Sequence, residues 1–172
     1  VIGVGASSTA ANRVAGMSGN IAIGASALGA AALTTFDENT AIGKNAMAVM
    51  TSTSTGGNTA LGSQSMEAMT GGTQNTAIGY ESMGQTTANI SGVIAIGSSA
   101  GRNATANNEL FINSQLKSSY ANDQTQSIIY GGMASSAASQ FLHFNVGYLQ
   151  LGNSSTASEL RLMEPSGSGT NY

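Results

Sequence analysis

A β-branched or similar residue, a tiny residue, a large aliphatic residue and a glycine follow one another six times in the first hundred positions of the chain. The first column is Ile2, Ile21, Thr40, Thr59, Thr76 and Ile94, the tiny column Gly3, Ala22, Ala41, Ala60, Ala77 and Ala95, and the aliphatic column Val4, Ile23, Ile42, Leu61, Ile78 and Ile96. The closing glycines, Gly5, Gly24, Gly43, Gly62, Gly79 and Gly97, stand 19, 19, 19, 17 and 18 residues apart. β-Branched content with alternating size predicts a short strand, and a fixed period near 20 predicts stacked coils. Neighbouring side chains of a strand point to opposite faces, so the aliphatic and tiny columns lie on different sides of the sheet. The aliphatic column is expected to fill the core and the alanine column to form a face that something can approach closely.

The rest of each unit keeps a looser order. Two positions past the glycine stands a polar residue (Ser7, Ser26, Asn45, Gln64, Glu81, Ser99), then a small one, then in four copies Leu28, Met47, Met66 or Met83. A second short strand is expected there. Met66 and Met69, three apart in Ser63–Met69, also fit a helical turn, but the other copies lack a matching polar face. The methionines read as core filling. The segments Thr51–Gly57 and Thr70–Gln74 carry the glycines of tight turns, and their unequal length accounts for the wobble in period. Ahead of four of the six strands comes Asn20, Asn39, Asn58 or Asn75. These amides fit an internal ladder of hydrogen-bonded side chains better than a polar row that binds sugar.

After Gly101 the repeat stops, and seven of the nine aromatic residues lie beyond it. The chain divides into a repeat region at 1–101, an aromatic-richer β module at 102–152, and a strand with a Gly/Ser linker at 153–172 that leads towards a missing C-terminal part. Asn108–Asn113, Gln126–Gly132 and Gln140–Gly152 are predicted strands, joined by loops at "SSYANDQTQ" and "MASSAAS". Glu159–Pro165 alternates apolar and charged residues as a half-exposed strand does. The module is expected to cover the open end of the coils. The start at Val1 and the end on "GSGTNY" read as a piece of something longer.

Composition sharpens the repeat reading. With 23 Gly, one Pro, no Trp, and only 13 charged residues in 172, the chain is built of small side chains that pack backbone close to backbone. Each coil offers one aliphatic side chain and one Leu or Met against the backbone entropy of some 19 residues, about 1–2 kcal/mol each. Burial supplied by other copies of the chain is therefore expected, and a three-fold assembly meets the need. A net charge of −3 with five scattered Lys and Arg excludes a nucleic-acid footprint. No apolar run reaches bilayer length, so no membrane insertion is expected, and the absence of Cys removes disulfides and thiolate metal sites.

Candidate chemistry is thin. The lone His143 has no Cys or second His for zinc, and reads as a strand histidine pointing out of the core. A triad of His143, Asp123 and a serine lacks a GxSxG elbow. Glycoside hydrolysis needs two facing carboxyls, yet Asp37 and Glu38 share a turn, and solvation alone explains Glu67 and Glu81. Gly3–Ser8 and Gly43–Asn45 fail as dinucleotide and phosphate loops. The sequons at Asn89, Asn103 and Asn153 are what chance provides. No catalytic, cofactor or metal residue is assigned, and no cofactor is expected.

The pattern "NTAIG…SM…TGGTQNTAIGYESM" resembles the head repeats of trimeric autotransporter adhesins and, more closely, repeats of bacteriophage tail fibre proteins. "GRNATANNELFIN", "QTQSIIYGGMASSAASQFLHFNVG" and "LRLMEPSGSGTNY" are similar to segments that follow such repeats in phage fibres. The resemblance implies an all-β, homotrimeric β-roll or β-solenoid, left-handed in its coils, exposed on the virion tail. It implies host attachment without catalysis, with other virion tail proteins and a host cell-surface glycan or protein as partners. The alternatives are a bacterial trimeric surface adhesin head and a polysaccharide-depolymerising tailspike. Adhesin heads repeat at a shorter period than 17–19, which leaves the coil shape open.

Overall fold

The computed structural model describes residues 19–29, 36–51, 55–134, 136 and 139–146. The first repeat copy, the end of the predicted strand at 140–152, and the whole of 153–172 lie outside them. The chain folds as a β-solenoid of about four turns, nearly all β with one short helix. Its elements are β1 (Ile21–Ile23), β2 (Phe36–Asp37), β3 (Thr40–Ile42), β4 (Thr55–Gly56), β5 (Thr59–Leu61), β6 (Gly72–Thr73), β7 (Thr76–Ile78), β8 (Ile94–Ile96), β9 (Glu109–Ile112), α1 (Tyr120–Gln126), β10 (Ile129–Gly132) and β11 (Phe141–Phe144). One eight-stranded sheet runs β1-β3-β5-β7-β8-β9-β10-β11, and a second of three strands runs β2-β4-β6.

Each "TAIG", "TALG" or "IAIG" strand lies parallel to the next with like residue opposite like: Ala22 faces Ala41, Ala41 faces Ala60, Ala60 faces Ala77, and Ala77 faces Ala95. The two faces are the reverse of the sequence expectation. Ala22, Ala41, Ala60, Ala77 and Ala95 are buried inside the coils, whereas Leu61 is 44% and Ile96 39% exposed, and Ile23, Ile42 and Ile78 are half-buried. The cause is the narrow lumen. The alanines share one buried cluster with Met47, Met50, Met66, Met69 and Met83, and a long flexible side chain from one wall fills that space only if the other wall is nearly bare. An Ile in the alanine column would overpack it.

The second strand of each coil is also displaced. The stretch after the glycine is a sequence of turns, neither strand nor helix, because it holds two left-handed residues two apart: Gln64 at φ 61° and Met66 at 51°, Glu81 at 53° and Met83 at 52°. Left-handed backbone cannot continue a strand. The second sheet forms instead within the segments read as turns, where β2, β4 and β6 pair in parallel just ahead of the asparagines.

The eight-stranded sheet continues past the last repeat. β9 pairs with β8 in parallel, setting Phe111 opposite Ala95, and Gly101, whose missing side chain leaves room for the Phe111 ring, makes that replacement possible. The chain then reverses, and β10 and β11 add in antiparallel fashion. The predicted loop "SSYANDQTQ" contains α1, capped by Ser119, whose hydroxyl accepts from the Asn122 N–H.

Candidate functional site

Two sets of polar residues are organised by this fold, one along the coils and one at the terminal hairpin. Along the coils, the Asn39 Oδ1 accepts from both the backbone N–H and the Nδ2 of Asn58, at 3.1 and 3.0 Å. Asn58 Oδ1 accepts the same pair from Asn75, each at 3.0 Å. Asn20 Oδ1 does so for Asn39 at 2.9 and 3.2 Å. The remaining amide protons go to the Asp37, Gly72 and Ile90 carbonyls. At the far end, Asn75 Oδ1 accepts from the backbone N–H of Val93, so the coil without an asparagine needs no amide to terminate the row. Asn39, Asn58 and Asn75 are fully buried, which leaves this ladder no surface on which to hold a ligand.

On the outside of the turns, Glu67 accepts from Asn45 and Gln64. Glu81 pairs with Arg102 at 2.9 Å and accepts from the Tyr80 hydroxyl at 3.0 Å. Of these, Gln64, Glu67, Glu81 and Arg102 line a cleft of about 370 Å³. The solvated carboxylates of the sequence reading are thus tied to neighbours, and the ion pair brings together residues 21 positions apart.

The terminal hairpin holds groups that sequence reasoning left unassigned. Strand register sets Glu109, Gly132 and Phe141 side by side, and Phe111, Tyr130 and His143 beside them. Glu109 is 4% exposed. Its Oε1 accepts from the Tyr120 and Tyr130 hydroxyls, both at 2.6 Å, and from Gln124 at 3.4 Å, while its Oε2 is buried without a partner. Burial and the hydrogen bond to Glu109 raise both phenols, Tyr130 to about 12, so both stay protonated and donate. Four rings follow one another here: Phe111 to Tyr130 at 5.2 Å, Tyr130 to Phe141 at 5.4 Å, and Phe141 to His143 at 4.9 Å. His143 is exposed. The signal in the sequence was the aromatic enrichment beyond Gly101, but nothing in it paired Glu109 with tyrosines 11 and 21 positions away.

No family model, curated protein or solved structure matches this chain.

Between the coils and α1, Asp123 is fully buried. Its Oδ2 accepts from the N–H and Nδ2 of Asn103, at 2.9 and 3.1 Å, and its Oδ1 has no partner. Burial pushes the carboxyl up, against the hydrogen bonds from Asn103 and the attraction of Lys117 and Arg102. A raised carboxyl contributes stability below its unfolded value, and that contribution is lost as pH rises through the folded value. Asp123→Asn, which carries no charge at any pH, is expected to match the native protein at the acid end of the carboxyl range and to gain on it as pH rises to 7. Thermal melts across that range check this; a constant offset between the two proteins would refute it. Among the described residues, no group of three His, Cys, Asp or Glu side chains is placed to hold a metal ion. No helix among them is long and apolar enough to cross a membrane.

Proposed function

We propose that this chain is a non-catalytic structural and receptor-binding module of a phage tail fibre, assembled as a homotrimer on the virion surface. The observation that carries it is the outer face of the eight-stranded sheet. Strand register aligns Ile23, Ile42, Leu61, Ile78, Ile96, Ile112, Ile129 and Phe144 in one file. A parallel file begins at Ile21, passes through three threonines, and continues over Ile94 and Leu110 to Leu142. At the spacing of paired strands the strip is about 35 Å long, and it carries no charged side chain. Monomeric proteins rarely leave a continuous apolar strip of this size in water. Three copies turned inward would bury it around an axis, adding the burial that the thin coils lack.

The phage setting rests on the resemblance of the repeat and of the segments after it to tail fibre sequences. A trimer presents each exposed site three times, so that weak contacts with a host surface add as avidity. In the non-catalytic reading, the carboxylates of Glu67, Glu81, Glu109 and Asp123 serve the scaffold, each hydrogen-bonded within it.

The reading is tested by sedimentation equilibrium. The native chain is expected at the mass of three chains, and the double variant Leu61→Arg, Ile78→Arg, with charge in the middle of the strip, at the mass of one. A native chain that sediments as a monomer at micromolar concentrations would overturn the proposal.

A further inference from the structure

The inner side of the hairpin is covered only in part. α1 reaches Tyr130, whose hydroxyl accepts from Gln124 at 2.8 Å, and extends no further, so the Phe141 ring one strand on is 42% exposed. Two clefts, of about 300 and 370 Å³, share Tyr130 and Phe141 as lining. The first adds Asn107, Asn108 and Glu109. The second adds Gln124, His143 and Asn145. Amides therefore flank a flat aromatic ledge on both sides. The linings contain the buried Glu109 carboxylate with its unpartnered oxygen, and no Lys or Arg.

A ligand that matches this ledge has one flat apolar face, to lie on the electron-rich face of an arene, and hydroxyls around its edge, to exchange hydrogen bonds with amides. A pyranose has both. An anionic sugar is disfavoured, because the Glu109 carboxylate is uncompensated by any cation in either lining and acts through a poorly screened medium. We infer that the Phe141 ledge is a binding site for a neutral glycan, with a pyranose ring stacked on Phe141 and its hydroxyls directed at the amides of Asn107, Asn108, Gln124 and Asn145. The inference rests on the receptor-binding reading above and specifies its ligand.

The intact chain is titrated calorimetrically with neutral oligosaccharides built from glucose, galactose or mannose, and with their uronic-acid and sialylated counterparts. The expected result is millimolar or tighter binding of a neutral sugar, weakened roughly tenfold or more by Phe141→Ala, retained by Phe141→Tyr, and unchanged by Gln85→Ala in the coils. Chemical-shift changes of the His143 imidazole protons on adding sugar to the native chain supply a readout that does not depend on any variant folding. Preference for the acidic sugars, binding indifferent to Phe141→Ala, unmoved His143 protons or no neutral sugar bound would each overturn the site. A trimer that binds no neutral sugar removes the ledge and leaves the fibre reading standing; a monomer that binds sugar through Phe141 does the opposite.

Discussion

Gly62→Ala is expected to unfold the solenoid or to lower its midpoint by more than about 10 °C. Gly62 has φ 140°, a backbone region that is essentially glycine's alone and costs any other residue about 1–3 kcal/mol. A Cβ there would also strike the carbonyl of Gly79 in the next coil. The obstacle is backbone, and it cannot step aside because it belongs to the same stacked row: Gly62 N–H donates to Ile42 O and Gly79 N–H to Leu61 O, each at 2.8 Å. Strain and clash together should remove at least about 3 kcal/mol. Gly24, Gly43 and Gly79 meet the same geometry against Gly43, Gly62 and Gly97, so the loss should recur along the column. Ser63→Ala, one residue on and with ordinary φ, is expected within about 0.5 kcal/mol of the native chain. Calorimetric melts of the two variants decide it, and a Gly62→Ala protein that melts beside Ser63→Ala would show that the column is not what holds the coils together.

The glycine column was legible in the sequence because its cause is local and repeats every turn. So was the alignment of like residues, since parallel stacking at a near-constant period leaves little choice of register. The parity of the alanine and aliphatic columns could also be read, but not which of them turns inward. Burial by residue type favours the larger side chain, and that rule fails when the opposite wall already fills the lumen with Met47, Met50, Met66, Met69 and Met83. The second strand was misplaced because Gln64, Met66, Glu81 and Met83 are not residues whose identity announces left-handed backbone. Their conformation comes from the stacking, as in Met66 N–H donating to Ser82 O in the next coil. α1 escaped notice for a different reason. Its inward groups are Tyr120, Asp123 and Gln124, held by hydrogen bonds and not by an apolar stripe, so hydrophobic periodicity has nothing to register. The Ser119 cap with Asp123 in the first turn was the available sign.

Asn58→Ala should cost about 3 kcal/mol or more, the largest effect expected of any alanine substitution outside the glycine column. The side chain takes part in four hydrogen bonds: its Nδ2 donates to Asn39 Oδ1 and Gly72 O, and its Oδ1 accepts from the N–H and the Nδ2 of Asn75. Removing it strands a buried N–H, an amide proton and a carbonyl, and each buried group left without a partner costs about 1–3 kcal/mol. Asn20→Ala, at the half-buried end of the row, should cost less, because water can reach the groups it leaves. Asn58→Asp separates shape from chemistry. It keeps the acceptor for Asn75 but loses both donors and sets a carboxylate against Asn39 Oδ1, so at pH 7 it should be at least as unstable as Asn58→Ala. Burial would raise that new carboxyl, and protonation restores one donor, so its midpoint should climb as pH falls, by the same sign rule that governs Asp123. Melts of the three variants at pH 7 and at the acid end of the carboxyl range test the ladder. If Asn58→Ala kept its native midpoint and lost affinity for a glycan instead, the row would be a ligand surface and the burial of its amides would have misled; a variant that loses stability and keeps the Phe141-dependent affinity assigns the row to holding the coils together and leaves binding to the hairpin.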